Sequence, residues 1–194
     1  MDDRPNLSRS RLVFDQGELA YDFGPEHPMK PQRLIALMDL LKTSELWKPD
    51  DKQCQLPIRA ATIEELKLIH SEVYITAVQL LSVPEEIDAS RNEIDTETRQ
   101  IIMRELAEQY GFGEGDTPAI PGIHDVSSLI TGGTLVALSA VMGLPEGGTF
   151  ASENDRPLHV FHPAGGLHHA LAERASGFCV YNDVHDLYIN GHRT

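Results

Sequence analysis

Apolar positions recur along this chain in two rhythms, and the change between them divides it. Residues 1–10 are polar and read as a loose start. Arg11-Leu12-Val13-Phe14-Asp15 is a short apolar run closed by a turn-former, which predicts a first buried strand. From Gly24 to Pro31 three prolines bar a continuous helix. Over Gln32 to Leu46 the residues Leu34, Leu37, Met38 and Leu41 follow one another at helical spacing, so an amphipathic helix is expected there. Thr62-Ile63-Glu64-Glu65 has the capping-box pattern and should open a short helix reaching about His70. Ser71 can cap another, with Tyr74, Ala77, Val78 and Leu81 on one face and Pro84 as its stop. A further helix is predicted from Thr96 to Tyr110, stopped by Gly111.

Beyond Gly111 the texture changes. Gly111, Gly113 and Gly115 make 111–118 a loop, and Asp125 or Ser127 should start a helix that runs to Met142. Inside it Gly132-Gly133 costs roughly 1 kcal/mol per glycine relative to alanine, a cost that implies close packing against the helix at that point. Residues 143–156 are a polar connection, and Leu158 to Phe161 reads as the next buried strand. Strands alternating with helical segments indicate an α/β layered domain, in which sites gather at the carboxyl ends of the strands.

At that place stands His162-Pro163-Ala164-Gly165-Gly166-Leu167-His168-His169, followed by Ser176-Gly177-Phe178-Cys179-Val180-Tyr181-Asn182-Asp183. Packing makes no demand for two adjacent histidines there, whereas a proton-moving site does, because imidazole titrates nearest neutrality. Gly165-Gly166 lets backbone approach a ligand closely. Gly177-Phe178-Cys179 is expected at the surface, with the glycine and the aromatic ring suited to the wall of a narrow channel. Adjacent histidines on a strand would face opposite sides and chelate poorly. His27, His70 and His124 show no ligand spacing and read as capped, exposed or core side chains.

Composition narrows the setting. The 194 residues are 41% hydrophobic and 24% charged, with a formal net charge of −14, which argues against nucleic acid or an anionic membrane surface as partner. Two distant cysteines, Cys54 and Cys179, form no C-x-x-C pattern, so a reducing compartment is expected. No apolar leader follows Met1, and no stretch reads as the roughly 18 apolar residues of a membrane span. A cytoplasmic protein is the resulting expectation.

The motif H-P-A-G-G-L-H-H-A with S-G-F-C-V-Y-N-D-V resembles the signature of the histone deacetylase family, especially its bacterial acetoin-utilisation type. Gly24-Pro25-Glu26-His27-Pro28 with Arg33, Leu66 through His70-Ser71 to Tyr74-Ile75, Gly113 to Pro118, and Gly132-Gly133 resemble further family motifs in the same order. The resemblance spans about 11–184, within one incomplete domain with a divergent tail at 185–194. It implies a three-layer arginase/deacetylase-like fold, a parallel sheet with helices on both faces, lacking its C-terminal strands. It implies zinc-dependent hydrolysis of an acetyl-lysine amide, on a protein or a small acetylated amine. By the same resemblance His168 and His169 are the acid/base pair, with His169 the proton shuttle. Asp116 is the rim aspartate that holds substrate backbone, Gly177 and Phe178 sheath the lysine methylenes, and Cys179 is a buried packing residue.

The family's zinc ligands, an Asp-x-His pair and a later aspartate, have no counterpart in this sequence; nor do the carboxylates that orient the histidine pair or the oxyanion tyrosine. The expectation is therefore an N-terminal portion of a deacetylase, inactive alone. Two other readings are an acyl-lysine or protein-binding module using Asp116 and Phe178, and a metal site built from the tail histidines His185 and His192.

Overall fold

The computed structural model describes residues 9–48, 54–84, 95–113, 116–150 and 152–185. Most of the expected loose start, Glu114 and Gly115 of the glycine loop, and the tail from Asp186 onward, His192 included, lie outside the described residues. Three parallel strands, β1 (Ser10–Val13), β2 (Gln55–Leu56) and β3 (His159–Phe161), form a sheet in the order β2-β1-β3. In β1, Leu12 pairs with Gln55 of β2 on one side and with Phe161 of β3 on the other.

The pleat sends alternate side chains of β1 to opposite faces. Leu12 and Phe14 join a core cluster with Leu34 and Met38 of α1 (Gln32–Thr43). Val13 joins Val136, Ala137 and Ala140 of α5 (Ile123–Met142). The sheet is thus covered on both faces, as a parallel sheet requires. α2 (Ile63–Leu66), α3 (Glu72–Leu81) and α4 (Thr96–Gln109) complete the described α-helices.

Several expectations shift. β1 begins at Ser10, and Arg9 Nε donates to the Arg156 carbonyl at 2.9 Å, so the last two residues of the expected loose start are ordered. β2 went unpredicted, because two residues carry no periodicity. β3 is a sheet edge among the described residues, with Leu158 and Phe161 each 50% exposed, where a buried strand was expected. α1 ends at Thr43, three residues before Leu46. Glu45 takes a left-handed φ of 56°, Leu46 N donates to Leu41 O at 2.9 Å, and Glu45 N donates to Lys42 O at 3.1 Å. That is a Schellman closure with glutamate where glycine is usual, so no glycine marks the stop.

α5 begins at Ile123, ahead of Asp125 and Ser127. Its cap comes from across the fold: Ser82 Oγ accepts from His124 N at 3.1 Å, and Gly122 N donates to Ser82 O at 2.8 Å. The same helix corrects the expectation about membrane-length segments. At 20 residues it is long and apolar enough to cross a bilayer, yet 67% of its apolar window is buried inside the protein, as a central core helix would be. The close packing foreseen at Gly132-Gly133 is present. A Cβ on Gly132 would overlap the backbone of Arg59, Ala60 and Ala61, and one on Gly133 would lie 2.8 Å from His162 Cε1.

Candidate active site

The loop after β3 carries the histidine pair, and its shape is imposed from below by Asp183. This carboxylate is fully buried and accepts three hydrogen bonds: from Gly166 N at 2.9 Å, Leu167 N at 2.6 Å and Thr134 Oγ1 at 2.6 Å. A buried carboxylate costs several kcal/mol unless so compensated. Gly165 leaves the space this needs, since a Cβ there would sit 2.7 Å from Thr134 Oγ1 and 2.8 Å from Asp183 Oδ2. Asn182 grips the far side, its Nδ2 donating to His168 O at 3.0 Å and Ala170 O at 2.8 Å.

So held, the two imidazoles stack with centroids 4.1 Å apart and planes tilted by 38°. His168 is exposed and its Nδ1 lies 2.9 Å from the Gly166 carbonyl. A carbonyl only accepts, so Nδ1 carries the proton and Nε2 holds the lone pair whenever the ring is neutral. His169 faces an open cleft together with Met29, Arg33, Gly177 and Phe178. His168 is not on the cleft wall and stands behind its neighbour.

The cleft wall beside His169 is a tight turn. Gly177 and Phe178 have φ of 55° and 66°, and Cys179 N donates to Ser176 O at 2.9 Å, the pattern of a type I′ hairpin turn. A bulky residue in the left-handed region is strained by about 1–3 kcal/mol, and its surroundings hold it there. Phe178 N donates to Thr117 Oγ1 at 3.1 Å, and Tyr21 Oη donates to Phe178 O at 2.7 Å. The His27 ring meets the Phe178 ring edge-on at 4.6 Å. Gly177 N donates to Asp116 Oδ2 at 2.9 Å. Glycine is required at 177 for a second reason, since a Cβ would lie 2.8 Å from His169 Cβ and Cγ.

His169, Gly177 and Phe178 therefore meet at one cleft, with Asp116 at its edge. Asp116 is exposed, and in this chain its carboxylate is engaged by the Gly177 backbone. Cys179, expected at the surface from the residue pattern, is 3% exposed. Burial pushes its thiol pKa up, which disfavours the nucleophilic thiolate.

Beneath the site lies a polar chain that the sequence reading did not assign. His162 Nε2 is 2.7 Å from Glu18 Oε1, and His162 Nδ1 is 2.9 Å from Thr134 Oγ1. Glu18 is fully buried. Its place was legible in part, because Asp15 and Glu18 form a reciprocal capping box, but nothing in that pattern pointed toward His162. His70 is also buried, and its Nε2 accepts from Asn182 N at 3.0 Å. Burial holds its pKa down at about 4, with nearby His185 adding to the shift. His185, one of the tail histidines, donates its backbone N–H to Asn182 Oδ1 at 2.9 Å.

A catalytic zinc takes about three protein ligands and one open position. Among the described residues no group of three or more His, Cys, Asp or Glu side chains converges to hold a metal. These residues do not fit a zinc ion by themselves, and none of the chemistry below runs through one.

The comparisons with known proteins agree with the geometry. The histone deacetylase domain model matches residues 27–188. An acetoin utilization protein AcuC of Bacillus subtilis is 36% identical over 174 residues, 90% of this chain and 37% of that protein. The AcuC of Staphylococcus aureus strain MRSA252 is 31% identical over 92% of this chain and 38% of its own length. Histone deacetylase B of Dictyostelium discoideum is 30% identical over 92% of this chain and 36% of its length. The crystal structure of a histone deacetylase homologue from Aquifex aeolicus superposes with a TM-score of 0.69 at 26% identity, covering 95% of this chain and 42% of that one. The chain spans well under half the length of these relatives. A parallel sheet covered on both faces, a histidine pair at the carboxyl end of a strand and these matches together place it in the histone deacetylase family, as a partial domain.

Proposed function

We propose that this chain supplies the proton-transfer and substrate-channel half of an acetyl-lysine deacetylase of the acetoin-utilisation type. The observation that carries this reading is His169, which lines the cleft beside the Gly177-Phe178 turn with His168 stacked against it. Amide hydrolysis needs a base to take a proton from the attacking water and an acid to give one to the leaving amine. His169, on the wall, delivers the proton to the lysine nitrogen as the C–N bond breaks. By the likeness to the family His168 is its acid/base partner, with Nε2 unprotonated in the neutral ring. Phe178 sheaths the apolar methylenes, and Asp116 accepts from the backbone of a bound peptide in exchange for, or alongside, Gly177.

The zinc ion that the family resemblance implies would be held by polypeptide other than the described residues, and would supply polarisation of the acetyl carbonyl. The 194-residue chain alone is then inactive in a cytoplasmic setting, and the substrate is an acetylated lysine or a small acetylated amine. The test is a chimera in which this chain replaces the aligned part of the Bacillus subtilis AcuC. Zinc-dependent release of acetate from an acetyl-lysine peptide is expected, falling at least about 100-fold in His169→Ala. A folded, zinc-loaded chimera no more active than its His169→Ala variant would refute the proposal, and turnover by the isolated chain would overturn its inactivity.

A further inference from the structure

Two buried side chains at the site, Asn182 and Asp183, touch neither the cleft nor each other's partners, yet between them they take four backbone groups of the loop that carries the histidine pair. Asp183 takes the N–H groups of Gly166 and Leu167, and Asn182 takes the carbonyls of His168 and Ala170. We infer that Asn182-Asp183 is the positioning pair of His168: Asn182 holds its backbone carbonyl, and Asp183 acts on its ring through a single peptide group. This rests on the proton-transfer reading of the histidines for its functional meaning, but its geometry stands independently.

The peptide in question joins Gly166 to Leu167. Its carbonyl accepts from His168 Nδ1 at 2.9 Å, and its N–H donates to Asp183 Oδ1 at 2.6 Å. The carboxylate draws on the N–H, the carbonyl oxygen becomes a better acceptor, and the bond from the imidazole strengthens. A side-chain carboxylate bonded directly to Nδ1 would set the same tautomer. Here a backbone carbonyl does so, with Asp183 one peptide behind it.

Asp183 is itself aligned by the chain below. The Thr134 hydroxyl has one proton, and donating it to Asp183 Oδ2 at 2.6 Å leaves its oxygen to accept from His162 Nδ1. His162 Nε2 and Glu18 Oε1, 2.7 Å apart, then share one proton. On the other side His70 Nε2 accepts from Asn182 N. Glu18 in the capped turn after β1 is thereby linked through five hydrogen bonds, by way of His162, Thr134, Asp183 and the Gly166-Leu167 peptide, to the imidazole of His168.

The experiment uses the full 194-residue chain labelled with 15N, and reads the His168 tautomer from long-range proton–nitrogen correlations and amide exchange at Leu167. Wild type should show the Nδ1–H tautomer and a protected Leu167 amide. Asp183→Asn should mix the tautomers and lower Leu167 protection at least tenfold, to be compared with the roughly tenfold that about 1.4 kcal/mol represents. Thr134→Val should move both readouts the same way by less, and Thr134→Ser, which keeps the hydroxyl, should restore them. Tyr74→Phe removes a buried hydrogen bond to the Val180 carbonyl (2.8 Å) elsewhere in the core and should lower stability with neither readout changed. An unchanged tautomer and unchanged Leu167 exchange in a folded Asp183→Asn protein would overturn the inference, as would equal changes in Tyr74→Phe. If Asp183→Asn does not fold, the Thr134 pair decides: equal behaviour of Val and Ser refutes it. Neither readout needs turnover, so failure of the deacetylase reading and failure of this inference are separate results.

Discussion

Acid should unfold this protein through His70, by an amount the structure sets. The ring is 2% exposed, and its Nε2 accepts the Asn182 N–H, so a second ring proton would both charge a buried group and break that bond. Burial is the main cause of the drop from the ordinary 6.5 to about 4, with the charge of His185 acting in the same direction. In the unfolded chain the ring titrates near 6.5. Between the two values the unfolded state binds the proton and the native state does not, so stability rises with pH across that window. The contribution is whole above 6.5, declines as pH falls toward 4, and is gone below it. At about 1.4 kcal/mol per pH unit the full loss is about 3.5 kcal/mol, a large share of the roughly 5–15 kcal/mol of a typical domain. The assay is urea unfolding followed by the single tryptophan, Trp47, at pH 7.5 and 4.5, for wild type and His70→Gln. Glutamine can accept from Asn182 N–H and does not titrate. Its stability should fall by about 2.5 kcal/mol less than wild type over that interval. Equal losses in the two proteins would refute the reasoning.

Three further outcomes follow from particular contacts. Gly132→Ala gains about 1 kcal/mol of helix propensity, but its Cβ meets backbone of 59–61, which cannot swing aside. A net loss of about 2–3 kcal/mol is expected, and a raised melting temperature would show the contact to be yielding. Gly177→Ala must adopt a left-handed φ at about 1–2 kcal/mol and crowds His169. Lowered stability should appear together with displaced His169 ring resonances, and unchanged resonances would contradict the crowding. Cys179, buried with a raised thiol pKa, should react with a thiol reagent only as the protein unfolds; rapid labelling of native protein at Cys179 would contradict that.

Local features were readable wherever the cause was local. The capping box at Thr62 and Glu65, the Ser71 cap and the Asp95-headed helix are set by residues within one turn of each other. The glycine pair in α5 announced a close approach, though not that the backbone of 59–61 and the His162 ring were the neighbours. The His168-His169 motif and the Gly177-Phe178 turn stood out by residue type, and the resemblance to the family is what named them as a site. Where an end or a cap was supplied from a distance, the reading slipped. α5 starts early because Ser82, more than 40 residues upstream, caps it, and α1 stops early because Glu45 accepts a conformation that glycine normally signals.

Residue order and periodicity therefore settled the α/β class and the main helices, since each depends on side chains close in sequence or on a pattern one face wide, while the roles of the site residues came from the resemblance to the family. Tertiary structure alone decided how the histidine pair is held. Glu18, His70, Thr134, His162, Asn182 and Asp183 come from across the chain, and no spacing rule relates them. They meet because each is a buried polar group that must find a partner or pay several kcal/mol, and the fold supplies those partners only when β1, α3, α5 and the loop after β3 have packed together.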